Sequence, residues 1–300
     1  MIIRIGTRGS ALALWQANYV LQQLEKNGLM AEIVIIHTQG DKIQEVALSK
    51  IGSKGLFTQE LEQALRNQEI DIAVHSAKDV PADVPADLPI VAFSVRENPA
   101  DVLISHKTVS LEKDTLVIGT SSTRRIAFLN HYYPQHTVKD VRGNVQTRIR
   151  KLEEGQYDAL VMAYAGIHRL MYQNYIQQVL PIDTFVPPAG QGALAIQMHV
   201  QHPQKAMFKA ILNDEDTAVC IQMERSFLHA VGGGCSIPIF AYSRIQDNTV
   251  SLHAGLISPK GEKIAQSNRH CARHETELLI QQTVSEVLEK QGGKEILACL

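Results

Sequence analysis

The chain has 300 residues, 45% of them hydrophobic and 20% charged, and a formal net charge of −2 at pH 7. That length leaves room for two or three domains with real cores, and the near-neutral charge argues against general affinity for nucleic acid or acidic membranes. Four widely spaced cysteines (Cys220, Cys235, Cys271, Cys299) with no C-x-x-C pair argue against a disulfide scaffold or a structural zinc site. Met1-Ile-Ile-Arg-Ile enters a first strand with no apolar leader, and no apolar run approaches the ~20 residues of a membrane span. The expectation is a cytoplasmic protein with reduced thiols.

In chain order, Ile2–Ile5 reads as a strand and Ala11–Asn27 as a helix closed by Asn27-Gly28. Glu32–His37 is a β-branched strand, Leu56–Asn67 an amphipathic helix, and Ile70–His75 and Leu88–Phe93 are further strands. Strands follow at Thr115–Ile118, Thr137–Val141 and Ala159–Ala163, with helices at Ser122–Tyr132, Val145–Glu154 and Gly166–Met171. Alternation of this kind predicts parallel, doubly wound α/β sheets. Proline punctuation after Phe93 and the break Pro187-Pro188-Ala189-Gly190-Gln191-Gly192 divide the pattern in two. Ala193–Met198 then reads as a lone strand that returns to the first sheet. The expected organisation is residues 1–93 plus about 189–204 as one α/β domain, 94–188 as a second, and 207–300 as a smaller α+β domain.

In that last part, Asn213-Asp214-Glu215-Asp216 opens a helix that ends at Gly232-Gly233-Gly234-Cys235, and Ile237–Phe240 reads as a strand. Thr249–Ile257 and Lys263–Ala272 form a hairpin turning at Pro259-Lys260-Gly261, and Glu275–Glu289 is a final helix. Taken alone, the glycine run reads as a helix C-cap followed by a buried cysteine. The competing reading is a thiol presented on an uncrowded loop.

In open α/β sheets, ligands bind beyond the carboxyl ends of the strands. Five such ends carry hydroxyls, glycines and cations: Thr7-Arg8-Gly9-Ser10; His75-Ser76-Ala77-Lys78-Asp79; Gly119 to Arg125; Arg142-Gly143-Asn144 with Arg148; and Ala165-Gly166 with Arg169. Helix N-termini and arginine forks both suit anions. Between Ser121 and Lys151, Arg124, Arg125, Lys139, Arg142, Arg148, Arg150 and Lys151 face only Asp140, which predicts a polyanionic ligand. No phosphate-binding glycine loop is present, and the region lacks aromatics for base stacking. Asp79 stands out among the cations. It either pairs with Lys78 or caps a turn, or it steadies a cationic intermediate and moves protons. The twelve histidines form no strong ligand set, and no metal is expected.

Several stretches together resemble the porphobilinogen deaminase family. They are Thr7-Arg8-Gly9-Ser10 with Ala13-Leu14-Trp15-Gln16-Ala17, Gly52-Ser53-Lys54-Gly55-Leu56-Phe57, Val74-His75-Ser76-Ala77-Lys78-Asp79-Val80-Pro81, Gly119-Thr120-Ser121-Ser122-Thr123-Arg124-Arg125, Arg142-Gly143-Asn144 and Gly190-Gln191-Gly192. The resemblance runs nearly end to end, in the family's order.

It implies two domains resembling periplasmic binding proteins, with a cleft between them, and a third domain carrying a dipyrromethane cofactor bound by a thioether to Cys235. It implies a transferase that deaminates four porphobilinogens, adds them head to tail to this primer, and releases hydroxymethylbilane for tetrapyrrole synthesis. Each pyrrole carries an acetate and a propionate, which accounts for a polyanion. By the same resemblance Asp79 is the catalytic carboxylate, while Ser76, Lys78, Thr120, Ser121, Ser122, Arg124 and Arg125 hold the cofactor. Arg8, Ser10, Arg142, Gly143, Asn144, Arg148, Arg169 and Gln191 hold substrate and the growing chain. Lys54 and Phe57 lie on an active-site loop. Gly232 stands where many members have an acidic residue, and Ser236 where many have a bulkier polar one. The expectation is a monomer without nucleic-acid or membrane partners. The rival from another class is a non-catalytic, two-lobed polyanion-binding protein.

Overall fold

A computed structural model describes residues 2–38, 58–233 and 237–299. These fall into two compact units, 1–97 with 192–219 and 98–191 with 220–300. The first unit opens with β1 (Ile3–Thr7), α1 (Ala11–Lys26), β2 (Ala31–Ile35), α2 (Gln59–Arg66), β3 (Ile72–Ser76) and β4 (Ile90–Phe93). The second contains β5 (Asp101–Ile104), β6 (Val117–Gly119), α3 (Thr123–Tyr132), β7 (Thr137–Lys139), α4 (Val145–Glu153), β8 (Ala159–Ala163), α5 (Tyr164–Arg169) and β9 (Ile176–Val179). The chain then returns to the first unit with β10 (Leu194–Gln197) and α6 (Lys205–Leu212), and α7 (Glu215–Ala230) carries it back to the second. There β11 (Ile239–Gln246), β12 (Thr249–Ile257) and β13 (Ile264–Ala272) precede α8 (Thr276–Ser285) and α9 (Gly293–Ala298).

The first sheet has the order β2-β1-β3-β10-β4, and the second β7-β6-β8-β5-β9. Neither is wholly parallel, which corrects the expectation from strand–helix alternation. In the first, β1 runs parallel to β2 and β3, whereas β10 is antiparallel to both β3 and β4. In the second, β6 runs parallel to β7 and β8, whereas β5 is antiparallel to both β8 and β9. The reversed strand in each sheet is the first to follow a crossing between the units. It arrives without a preceding crossover helix, so nothing forces it parallel.

Local chemistry explains the helices. Ser10 has extended backbone and its hydroxyl accepts from Ala13 N at 3.3 Å, starting α1. The helix buries Ala13, Gln16, Ala17, Val20 and Leu24, one face at three- and four-residue spacing. That face joins Ile3, Ile5, Ile72, Val74 and Ile196 in the core of the first unit, with Phe208 and Leu212 of α6. The start of the expected 207–300 segment is thus built into the first unit. In the second unit, Phe128 of α3 packs on Phe185 and on Phe240 of β11, each with ring centroids 5.1 Å apart. The antiparallel sheet β11-β12-β13 therefore shares a core with the second sheet.

Helix α7 ends as its glycines predict. Gly233 N donates to Leu228 O at 2.8 Å and Gly232 N to His229 O at 3.0 Å, with Gly232 at φ 68°, the bond pattern of a Schellman cap. Cys235 itself lies outside the described residues.

Candidate active site

In the first unit, neighbouring parallel strands β1 and β3 end side by side. Thr7, Arg8 and Ser10 follow one, and Ser76 ends the other. Thr7 is buried and its hydroxyl donates to Ala13 O, so it organises the turn into α1. Ala77–Asp79 form a single 3-10 turn beyond Ser76, leaving Lys78 half-buried and Asp79 exposed. Asp79 has no hydrogen bond or ion pair among the described residues. The pairing with Lys78 weighed from sequence is not formed. Gln16, buried on α1, donates from Nε2 to Ser76 Oγ at 2.7 Å, which leaves the Ser76 proton for another acceptor.

Behind this edge His75 is buried, with Nε2 3.1 Å from Gln197 Oε1. Gln197 Nε2 donates to Leu88 O at 2.9 Å, so Oε1 is the acceptor and His75 carries its proton on Nε2. Burial pushes its pKa down to about 4; the Gln197 hydrogen bond opposes the shift and the nearby Arg8 charge adds to it. His75 is a neutral strut.

In the second unit the ends of β6, β7 and β8 converge similarly. Thr120 is buried, Ser121 Oγ bonds Val141 O, and Ser122 caps α3 by accepting from Arg125 N. Asn144 caps α4, accepting from Thr147 N at 2.9 Å. Around that cap, Arg148 Nε donates to Gly143 O at 2.9 Å, Lys151 Nζ to Arg142 O at 3.2 Å, and Arg142 Nε to Asp140 Oδ2 at 3.2 Å. Arg169 ends α5, and its Nε is buried.

Arg124 and Arg125 are placed differently from the exposed cations counted along the chain. They are 3% and 7% exposed, and both bind Asp101 at the start of β5, which is 0% exposed. Arg124 Nη2 lies 2.6 Å from Oδ2 and Arg125 Nη2 2.7 Å from Oδ1. Gln191 Nε2 donates to Oδ1 at 3.0 Å and to Pro99 O at 2.6 Å. Burial alone would raise the Asp101 pKa; the two arginine charges and their hydrogen bonds outweigh it and hold the carboxyl well below the usual range. Asp101 was missed from sequence because it lies 23 and 24 residues from its partners, in a strand too short to register as one. Gln191 also sits in this buried network, so it meets protein groups first. Lys54 and Phe57 lie outside the described residues.

Each unit thus presents helix N-termini, hydroxyls and arginines at strand ends. That donor set fits a ligand bearing several carboxylates, and the unpartnered buried Nε of Arg124 is a further donor of the right kind. These features define an α/β protein whose strand ends suit a polyanion; exposed Asp140 is paired with Arg142, whereas exposed Asp79 has no such partner among the described residues.

Residues 3–207 match the family model described as porphobilinogen deaminase, dipyromethane cofactor binding domain, and residues 218–290 match its C-terminal domain. Porphobilinogen deaminase of Cytophaga hutchinsonii is 48% identical over 301 residues, covering 99% of this chain and 96% of the relative. That of Desulfosudis oleivorans is 44% identical over 303 residues, covering 99% and 97%. A periplasmic substrate-binding protein from Coxiella burnetii is 12% identical with a TM-score of 0.43, covering 72% of this chain and 94% of that one, a likeness too slight to argue from. The chain belongs to the porphobilinogen deaminase family. It is accordingly a transferase of tetrapyrrole biosynthesis, making hydroxymethylbilane with a dipyrromethane cofactor. The non-catalytic alternative has no support among these relatives.

Proposed function

We propose that the strand-end residues divide the work of this reaction by charge. The exposed, unpaired Asp79 carries the reading, because it is a carboxylate set among donors that are otherwise complementary to anions. It accepts hydrogen bonds from pyrrole N–H groups and stabilises the cation that porphobilinogen becomes when its ammonia leaves. It then takes up the proton lost when the new carbon–carbon bond restores the aromatic pyrrole.

Ser76, Lys78, Thr120, Ser121, Ser122, Arg124 and Arg125 hold the cofactor's carboxylates. Arg8, Ser10, Arg142, Gly143, Asn144, Arg148, Arg169 and Gln191 hold those of the substrate and the lengthening chain. When bound through Cys235, the dipyrromethane supplies the primer to which pyrrole units are added. Pro187–Gly192 and the stretch after Phe93 separate the domains, and the segment from 207 carries Cys235. No helix among the described residues is long and apolar enough to cross a membrane, and the reading extends to a monomer working in the cytoplasm.

The test is the intact mass of the purified protein, expected to exceed the sequence mass by two linked pyrrole units. Cys235→Ser should remove the increment. An adduct mapped to Cys220, Cys271 or Cys299 would overturn the attachment site, and unmodified protein after expression with porphobilinogen would overturn the reading itself.

A further inference from the structure

We propose that Asp101 is a positioning residue for cofactor loading, aligning the Arg124 and Arg125 guanidiniums so that their remaining N–H groups meet one anionic group together. This rests on the reading that these arginines hold the cofactor.

The two guanidiniums own ten N–H groups. Six hydrogen bonds engage them: three go to Asp101, one each to Val186 O and Val161 O, and one to Gln191 Oε1. The others have no partner among the described residues, and one of them, Arg124 Nε–H, belongs to a fully buried nitrogen. Two guanidiniums against one carboxylate leave a net charge of +1 in a nearly buried site. A buried surplus charge with open donors is costly unless a further anion completes it.

Asp101 is what gives those donors direction. Its Oδ1 takes Nε and Nη2 of Arg125 together with Gln191 Nε2, and its Oδ2 takes Nη2 of Arg124. Without it, two like charges adjacent on one helix would repel and splay apart. Because Arg124 and Arg125 belong to the first turn of α3, whose cap is Ser122, the same carboxylate also fixes the turn that carries the cap. Gln191 cannot substitute, since a neutral amide adds no charge to oppose the arginines.

Two substitutions separate charge from alignment. Asp101→Asn keeps the shape and loses the charge; Asp101→Glu keeps the charge and displaces it by one methylene. Each apo-protein is incubated with porphobilinogen, its cofactor-bound fraction is read by intact mass, and apo- and holo-proteins are melted separately. Wild-type protein should acquire the two-pyrrole increment, and failure there would sink the assigned function rather than this inference. Asp101→Glu should melt near the wild-type apo-protein yet load about tenfold less cofactor, because misaligned charge-assisted bonds lose their strength steeply. Asp101→Asn should lose both stability and loading. The proposal is overturned if both variants load like the wild type, or if apo and holo melting fall together at an unchanged bound fraction, the outcome of a merely structural role.

Discussion

His75 Nε2 and Gln197 Oε1 lie 3.1 Å apart, joining β3 to the antiparallel β10 beneath the turn that bears Asp79. Because its folded-state pKa falls from 6.5 to about 4, His75 binds no proton in the folded state over a range where the unfolded chain does. Its contribution is complete above about pH 6.5 and is lost as pH falls toward 4, a loss of about 3 kcal/mol. Urea unfolding at pH 7 and pH 4.5 should show a steep drop for the wild type. In His75→Gln the drop should be shallower, and an identical slope would refute the linkage.

Asp79 contributes nothing measurable to the described fold, since it is exposed and unbonded. Asp79→Asn should melt within about 1 °C of the wild type and keep the cofactor mass. Its turnover of porphobilinogen should fall about 100-fold or more. Normal turnover would remove Asp79 from its assigned role.

Asn144 caps α4 beside Arg142 and Arg148. Asn144→Ala should cost about 1 kcal/mol in chemical denaturation through loss of the cap. Asn144→Asp keeps the cap but places a negative charge where the proposed function puts a substrate carboxylate, so stability should hold while KM for porphobilinogen rises. Equal KM values in the two variants would argue against substrate carboxylates near this cap.

Gly232 and Gly233 are glycines for different reasons. At Gly232 the backbone has φ 68° and a Cβ would meet nothing within 4 Å, so Gly232→Ala should cost only about 1 kcal/mol. At Gly233 a Cβ would lie 2.6 Å from Leu228 O and 2.4 Å from Leu228 Cδ1, so Gly233→Ala should cost about 1–3 kcal/mol. Thermal melts of the two variants would expose a reversed order.

Much of the architecture was legible locally. Ala159–Ala163 and Thr249–Ile257 were read to the residue, and Ala11–Asn27 to within one. Caps at Ser10, Ser122 and Asn144 follow from residue chemistry at strand ends. β5 and β9 were missed, being four residues each with no alternation, as were α6 and α9. The strand-end pattern marks Asp79 and the arginines as candidates, whereas Asp101, distant from them along the chain, carries no such mark.

Sequence alone therefore determined the alternation of elements, the strand ends that carry hydroxyls and cations and the chemistry of their side chains, because periodicity, capping and functional-group type act over a few residues. Only the tertiary structure decided that β5 and β10 run antiparallel, that the C-terminal sheet shares the core of Phe128 and Phe185, and that Arg124 and Arg125 turn inward to Asp101. Strand direction, shared cores and buried charge pairs depend on which distant segments meet and exclude water, and no local pattern encodes that meeting.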